Sequence, residues 1–95
     1  MEVLYTEAFE TWLRGLRNQR AKIRILSRLE RIEDGNFGDH RSVGDGVSEL
    51  RVNVGQGYRV YYTVRRNTVV ILLYGGDKSS QRRDIRRAQR IASEF

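Results

Sequence analysis

The chain has 95 residues, with 18 Lys and Arg against 12 Asp and Glu, a formal net charge of +6. With no cysteine, one histidine and no apolar run long enough for a bilayer, it offers no disulfide framework, no zinc module and no membrane span; neither metal nor cofactor is expected. The surplus is almost all arginine, Lys22 and Lys78 being the only lysines, and guanidinium forks grip phosphate oxygens in pairs, so nucleic acid is the natural anionic partner.

This length, without a linker-like stretch, predicts one domain over residues 1–95 whose core is a sheet with helices on one face. Met1-Glu2-Val3-Leu4-Tyr5 turns polar too soon for a signal peptide, which makes the cytoplasm the expected compartment. Val3 to Tyr5 reads as a short strand. Thr6 then caps a helix with Glu7 and Glu10 in its first turn and Phe9, Leu13 and Leu16 as its stripe, Trp12 beside them. Past Asn18-Gln19 a second helix repeats Ile25, Leu26, Leu29 and Ile32, with Arg20, Arg24, Arg28 and Arg31 largely off that stripe, and Asp34-Gly35-Asn36 ends it.

Residues 36–46, with three glycines and little periodicity, read as a mobile loop that holds His40, the only histidine, as a solvated side chain. From Val47 the period is two. Ser48, Leu50, Val52 and Val54 face one way, Glu49, Arg51 and Asn53 the other. After the turn Gly55-Gln56-Gly57, Tyr58, Val60, Tyr62 and Val64 alternate with Arg59, Tyr61, Thr63 and Arg65. A turn at Arg66-Asn67 leads to the apolar run Val69–Tyr74, a central strand covered on both sides, which Gly75-Gly76 stops. Ser79 or Ser80 caps a last helix with Ile85, Ala88, Ala92 and Phe95 as its stripe and Arg82, Arg83, Arg86, Arg87 and Arg90 around it. The order is a short N-terminal strand, two helices, an antiparallel three-strand meander and a C-terminal helix, an α+β fold.

If the hairpin's apolar face packs on the helices, Arg51, Arg59 and Tyr61 emerge together on the other face as a shallow basic groove. Lys78, Ser79, Gln81 and Arg82 lie at its rim, at a helix start where free N–H groups favour phosphate. Metal-free RNA cleavage builds negative charge on the phosphate as the ribose 2′-hydroxyl attacks, and fixed cations stabilise it. Arg59 is the first candidate for this clamp, with Arg51 and Lys78 in support; Tyr61, Ser79, Gln81 and Arg82 are candidate RNA contacts. Asp84 or Lys78 is a candidate for proton transfer, although each also has an ordinary role in capping or solubility, and the general base stays open. Tyrosines in strands usually pack a core, and a charged helix side is needed for solubility in any case.

Taken jointly, Glu49-Leu50-Arg51, Gly57-Tyr58-Arg59-Val60-Tyr61-Tyr62 and Gly75-Gly76-Asp77-Lys78-Ser79-Ser80-Gln81 resemble the RelE/ParE toxin superfamily, most closely its HigB-like branch of addiction module killer proteins. The resemblance covers nearly the whole chain. It implies a RelE-like fold and the toxin of a type II toxin-antitoxin system, a metal-independent endoribonuclease that cuts mRNA on the ribosome and is held inactive by a cognate antitoxin, of helix-turn-helix type. It also implies phosphate contacts for Arg59, Lys78 and Arg51. The RelE tyrosine of the last helix has no counterpart near Asp84-Ile85, and the active-site histidines of HigB relatives find no match. ParE-type toxins share the fold but inhibit DNA gyrase without nuclease activity, so that alternative stays open, as does a non-enzymatic basic module that binds nucleic acid or a partner.

Overall fold

In the computed structural model, which describes residues 1–95, the elements in chain order are β1 (Glu2–Tyr5), α1 (Glu7–Arg14), α2 (Gln19–Glu33), β2 (His40–Gly44), β3 (Val47–Val52), β4 (Tyr58–Arg65), β5 (Val69–Asp77), a 3-10 turn (Lys78–Ser80) and α3 (Gln81–Ala92). Local chemistry sets most boundaries. Thr6 Oγ1 accepts from the Phe9 amide at 3.1 Å and caps α1, Gly15 ends that helix, and Asn18 Oδ1 caps α2 through the Ala21 amide at 3.1 Å. At the β3–β4 turn Gly55 and Gly57 both take positive φ, 57° and 84°, which side chains with a Cβ rarely adopt.

The five strands form one mixed sheet in the order β1-β5-β4-β3-β2, with β1 parallel to β5 and every other pair antiparallel. The meander therefore has four strands and not three, because residues 40–44, expected to be loop, pair with β3 from His40↔Leu50 to Gly44↔Val47. The reason is the turn between them: Asp45 and Gly46 both have positive φ, 54° and 75°, the geometry of a tight hairpin turn. The preceding segment is held too. Arg28, expected among the solvated arginines of α2, donates to the carbonyls of Phe37, Asp39 and Arg51 at 2.9, 3.1 and 2.7 Å.

Helices cover both faces of the sheet. α1 and α2 bury Phe9, Leu13, Ile25, Leu29 and Ile32 against the face that carries Leu50, Val52, Val60, Tyr62, Val70 and Leu72. α3 lies on the opposite face, where Ala88 and Ala92 pack on Val47, Tyr61, Ile71 and Leu73. This corrects the expectation of helices on one face only. The apolar run of β5 has two faces to bury, and the second can be covered only by the helix that follows it. A bulge on β5 sets Leu73 and Tyr74 side by side against this second core, where β4 steps from Tyr61↔Tyr74 to Tyr62↔Leu72.

Three smaller expectations are corrected as well. Leu26, placed on the α2 stripe, is 41% exposed, and Phe95, placed on the last helix's stripe, is 59% exposed. Gly75-Gly76 does not stop β5, which runs on to Asp77. Those glycines instead make room on either face: a Cβ on Gly75 would overlap the Trp12 indole, and one on Gly76 the Asp84 carboxylate.

Candidate functional site

Arg51 and Arg59 are direct partners across β3 and β4, and Gly76 continues their row on β5. Lys78, in the turn just beyond, lies over Gly57, where an added Cβ would come within 2.7 Å of Lys78 Cε. The three predicted cations thus share one end of the sheet, where β3 stops, β4 starts and β5 stops. Their surroundings differ. Lys78 is exposed. Arg51 is half-buried and donates to Asp39 Oδ1 through Nε and Nη2 at 3.0 and 2.7 Å. Arg59 is 7% exposed; its Nη1 donates to the Tyr58 carbonyl at 3.1 Å.

The expected open groove is therefore not there in that form. α3 lies across this face and buries Tyr61 completely, so Tyr61 is no surface contact for RNA. Loss of water around the ring, then the charges of Glu49 and Asp84, push its phenol above the ordinary value of 10.0. Of the other candidates, Arg82 is exposed on α3. Ser79 donates through N and Oγ to Asp77 Oδ1 at 2.8 and 2.5 Å, so Asp77, and neither serine, caps the turn. These bonds, the Ser79 hydroxyl foremost, hold the Asp77 carboxyl below its ordinary value of 3.8. Ser80, at the start of α3, donates its hydroxyl to Asp84 Oδ2 at 2.5 Å, and Asp84 is 3% exposed against Gly76. His40 is exposed, as expected, its Nδ1 2.8 Å from the Gly38 carbonyl.

Beneath the start of α3 lies a residue that sequence reasoning passed over. Glu49 is fully buried, and its carboxylate accepts from Arg41 Nε at 2.7 Å and from Gln81 Nε2 at 3.1 and 3.2 Å. Arg59 Nε stands 3.8 Å away, close enough for an ion pair and too far for a hydrogen bond. Gln81, expected to touch RNA, instead ties α3 to the sheet through this carboxylate. Two buried polar atoms here have no hydrogen-bond partner, Arg59 Nε and the Tyr61 hydroxyl. Alternation had assigned Glu49 to solvent, and nothing local in the sequence marks its burial. No three His, Asp or Glu side chains come together as a metal-binding cluster.

Across residues 11–94 the sequence matches a family described as phage derived protein Gp49-like (DUF891). An uncharacterized protein of Haemophilus influenzae is 49% identical to it over 95 residues, which cover 100% of this chain and 96% of that protein. No solved structure matches.

Proposed function

The chain belongs to the phage-derived Gp49-like family, and from that premise we propose that it is the toxin of a type II toxin-antitoxin system, an endoribonuclease that cuts mRNA on the ribosome and so stops translation and growth. The observation that carries the nuclease reading is the arrangement at the sheet end. Arg51 and Arg59 stand opposite each other with Lys78 just beyond, and Arg59 keeps a buried guanidinium donor without a hydrogen bond. The joint E-L-R, G-Y-R-V-Y-Y and G-G-D-K-S-S-Q pattern of RelE/ParE toxins, HigB-like ones above all, supports the same reading, as does the order of a strand, two helices, a meander and a helix.

In the reaction the 2′-hydroxyl oxygen attacks the adjacent phosphorus. A P–O2′ bond forms, the P–O5′ bond breaks, the 2′ proton passes to a base and the departing 5′ oxygen takes up a proton. Lys78 and Arg51 meet the phosphate from the solvent side. Behind them the buried Arg59 faces the Glu49 carboxylate, to which the exposed Arg41 also donates, so that two guanidinium groups share one carboxylate and a positive charge is left over for the phosphate. Asp84 is the candidate for proton transfer, held by Ser80 at the inner end of the same region. The partners that follow from the toxin reading are mRNA, the ribosome and an inhibiting antitoxin of helix-turn-helix type.

Expression of the chain, with transcript ends mapped, tests this reading. New mRNA ends are expected within translated regions, and Lys78→Ala, at an exposed site, should lower cleavage about 10²-fold while the protein stays folded. Arg59→Ala should do at least as much, with circular dichroism to separate lost folding from lost chemistry. Growth arrest without new ends would overturn the nuclease reading. It would favour a ParE-like toxin that inhibits DNA gyrase, a second reading that the burial of Arg59, and of Tyr61 beneath α3, supports; supercoiling by gyrase with the purified protein measures it.

A further inference from the structure

We propose that the groove between α1 and α3 is a track for single-stranded RNA, in which Trp12 and Tyr74 stack bases and Arg17, Arg83 and Arg87 contact phosphates; the inference rests on the RNA reading above and adds where the strand lies. β1 pairs with β5 only as far as Tyr5↔Leu72, because the chain turns into α1 at Thr6. From Leu73 to Asp77 the outer edge of β5 therefore has no strand beside it. α1 flanks this edge on one face of the sheet and α3 on the other, which leaves a trough floored by β5 backbone.

Two clefts of about 550 and 570 Å³ adjoin along this edge and share Trp12 and Tyr74. A smaller cleft of about 300 Å³ shares Gln56 and Asp77 with the first and reaches Lys78. The path thus leads from Arg87 past both aromatic rings to a cation already placed at the scissile phosphate. Each large cleft is of a size that takes a nucleotide-sized ligand.

The walls carry what a single strand needs. Trp12 and Tyr74 are half-buried, and each lines both clefts. Arg87 Cζ sits 4.5 Å over the Tyr74 ring, so on that face a base meets the guanidinium plane stacked on the phenol. Arg17 and Arg83 are exposed, and Arg83 Nε is ion-paired with Asp84 Oδ1 at 3.8 Å, too far for a hydrogen bond. Of the carboxylates of the walls, Asp84 accepts from Ser80 at 2.5 Å and Asp77 from Ser79 and from Gln56 at 2.7 Å, while Glu7 is exposed in the first turn of α1. Aromatic side chains interleaved with arginines bind unpaired bases and backbone together. An acidic peptide strand could use the same edge and arginines, but would leave the two rings without a purpose.

Trp12 is the only tryptophan, so its emission reports from inside the groove. The probe is an RNA hexamer, 2′-O-methylated to prevent cleavage and dye-labelled at one end, titrated into the full chain. Binding by anisotropy should be accompanied by quenching of Trp12. Arg17→Ala and Arg83→Ala should each weaken binding about tenfold and lower the slope of log affinity against log salt by about 0.7, a change that mere loosening of the fold would not produce. A hexamer that binds without changing Trp12 emission, and equally well to both variants, overturns the track and leaves the RNA reading standing. A hexamer that does not bind overturns the track also, and the transcript-end assay then decides separately whether the RNA reading falls with it. Quenching by an acidic peptide and not by RNA assigns the groove to a protein strand and overturns the proposal.

Discussion

Gly76 shows how much one missing methyl group decides at this site. Its neighbour is the Asp84 carboxylate, which lies where a Cβ would go, so Gly76→Ala must push α3 away from the sheet. Overpacking of this kind costs about 1–3 kcal/mol, and the variant's urea midpoint should fall accordingly; an unchanged midpoint would mean that α3 sits further from β5 than described. Glu49 makes the complementary point. A carboxylate without exposure survives here because Arg41, Arg59 and Gln81 surround it. In the sequence Glu49 reads as one more charge on a polar strand face, since alternation reports which face a side chain takes and not what covers that face. The same limit applies to Arg59 and Tyr61. Their common face was legible from the period of two, and their burial was not.

At the scale of elements, the junction of β5 with α3 is organised by Asp77. Its carboxylate accepts from the Ser79 amide and hydroxyl and from Gln56. Asp77→Ala should cost about 1 kcal/mol, as loss of an N-terminal cap does. Asp77 is held below its ordinary value of 3.8, so its contribution is fully present above that value and is lost as pH falls through the lower, folded one. The stability difference between wild type and variant, from urea melts, should thus be constant at neutral pH and shrink in acid; a difference that grew in acid would contradict this role. The helix cap at Thr6 and the hairpin at Gly55–Gly57 were readable because each depends on a few adjacent residues. β2 was overlooked despite the Asp45-Gly46 signal, because its partner is the next strand and its own residues are exposed apart from half-buried Val43.

For the molecule as a whole, one sheet serves two cores of unequal size. The larger lies under α1 and α2, while the smaller depends on α3 alone. A chain ended after Ser80 would expose Val47, Tyr61, Ile71 and Leu73 together, a contiguous apolar face that invites association. Such a truncation should aggregate or lose its cooperative thermal transition, followed by circular dichroism and size-exclusion chromatography; a truncated monomer with a sharp melt would show that the first core suffices. The same placement of α3 that closes the second core also ties Gln81 to Glu49 and forms one wall of the groove along β5.

Element type everywhere but β2, the alternation on β3 and β4, the charge and the sheet end shared by Arg51, Arg59 and Lys78 were all determined by the sequence itself, because periodicity, capping and turn residues act over a few positions. The face that α3 takes, the burial of Glu49, Arg59 and Tyr61, and the open edge of β5 beyond Leu72 were decided only by the tertiary structure. These depend on which surfaces are closed by segments far away in the chain, and burial of apolar area, which has no direction of its own, is settled only when every layer is in place.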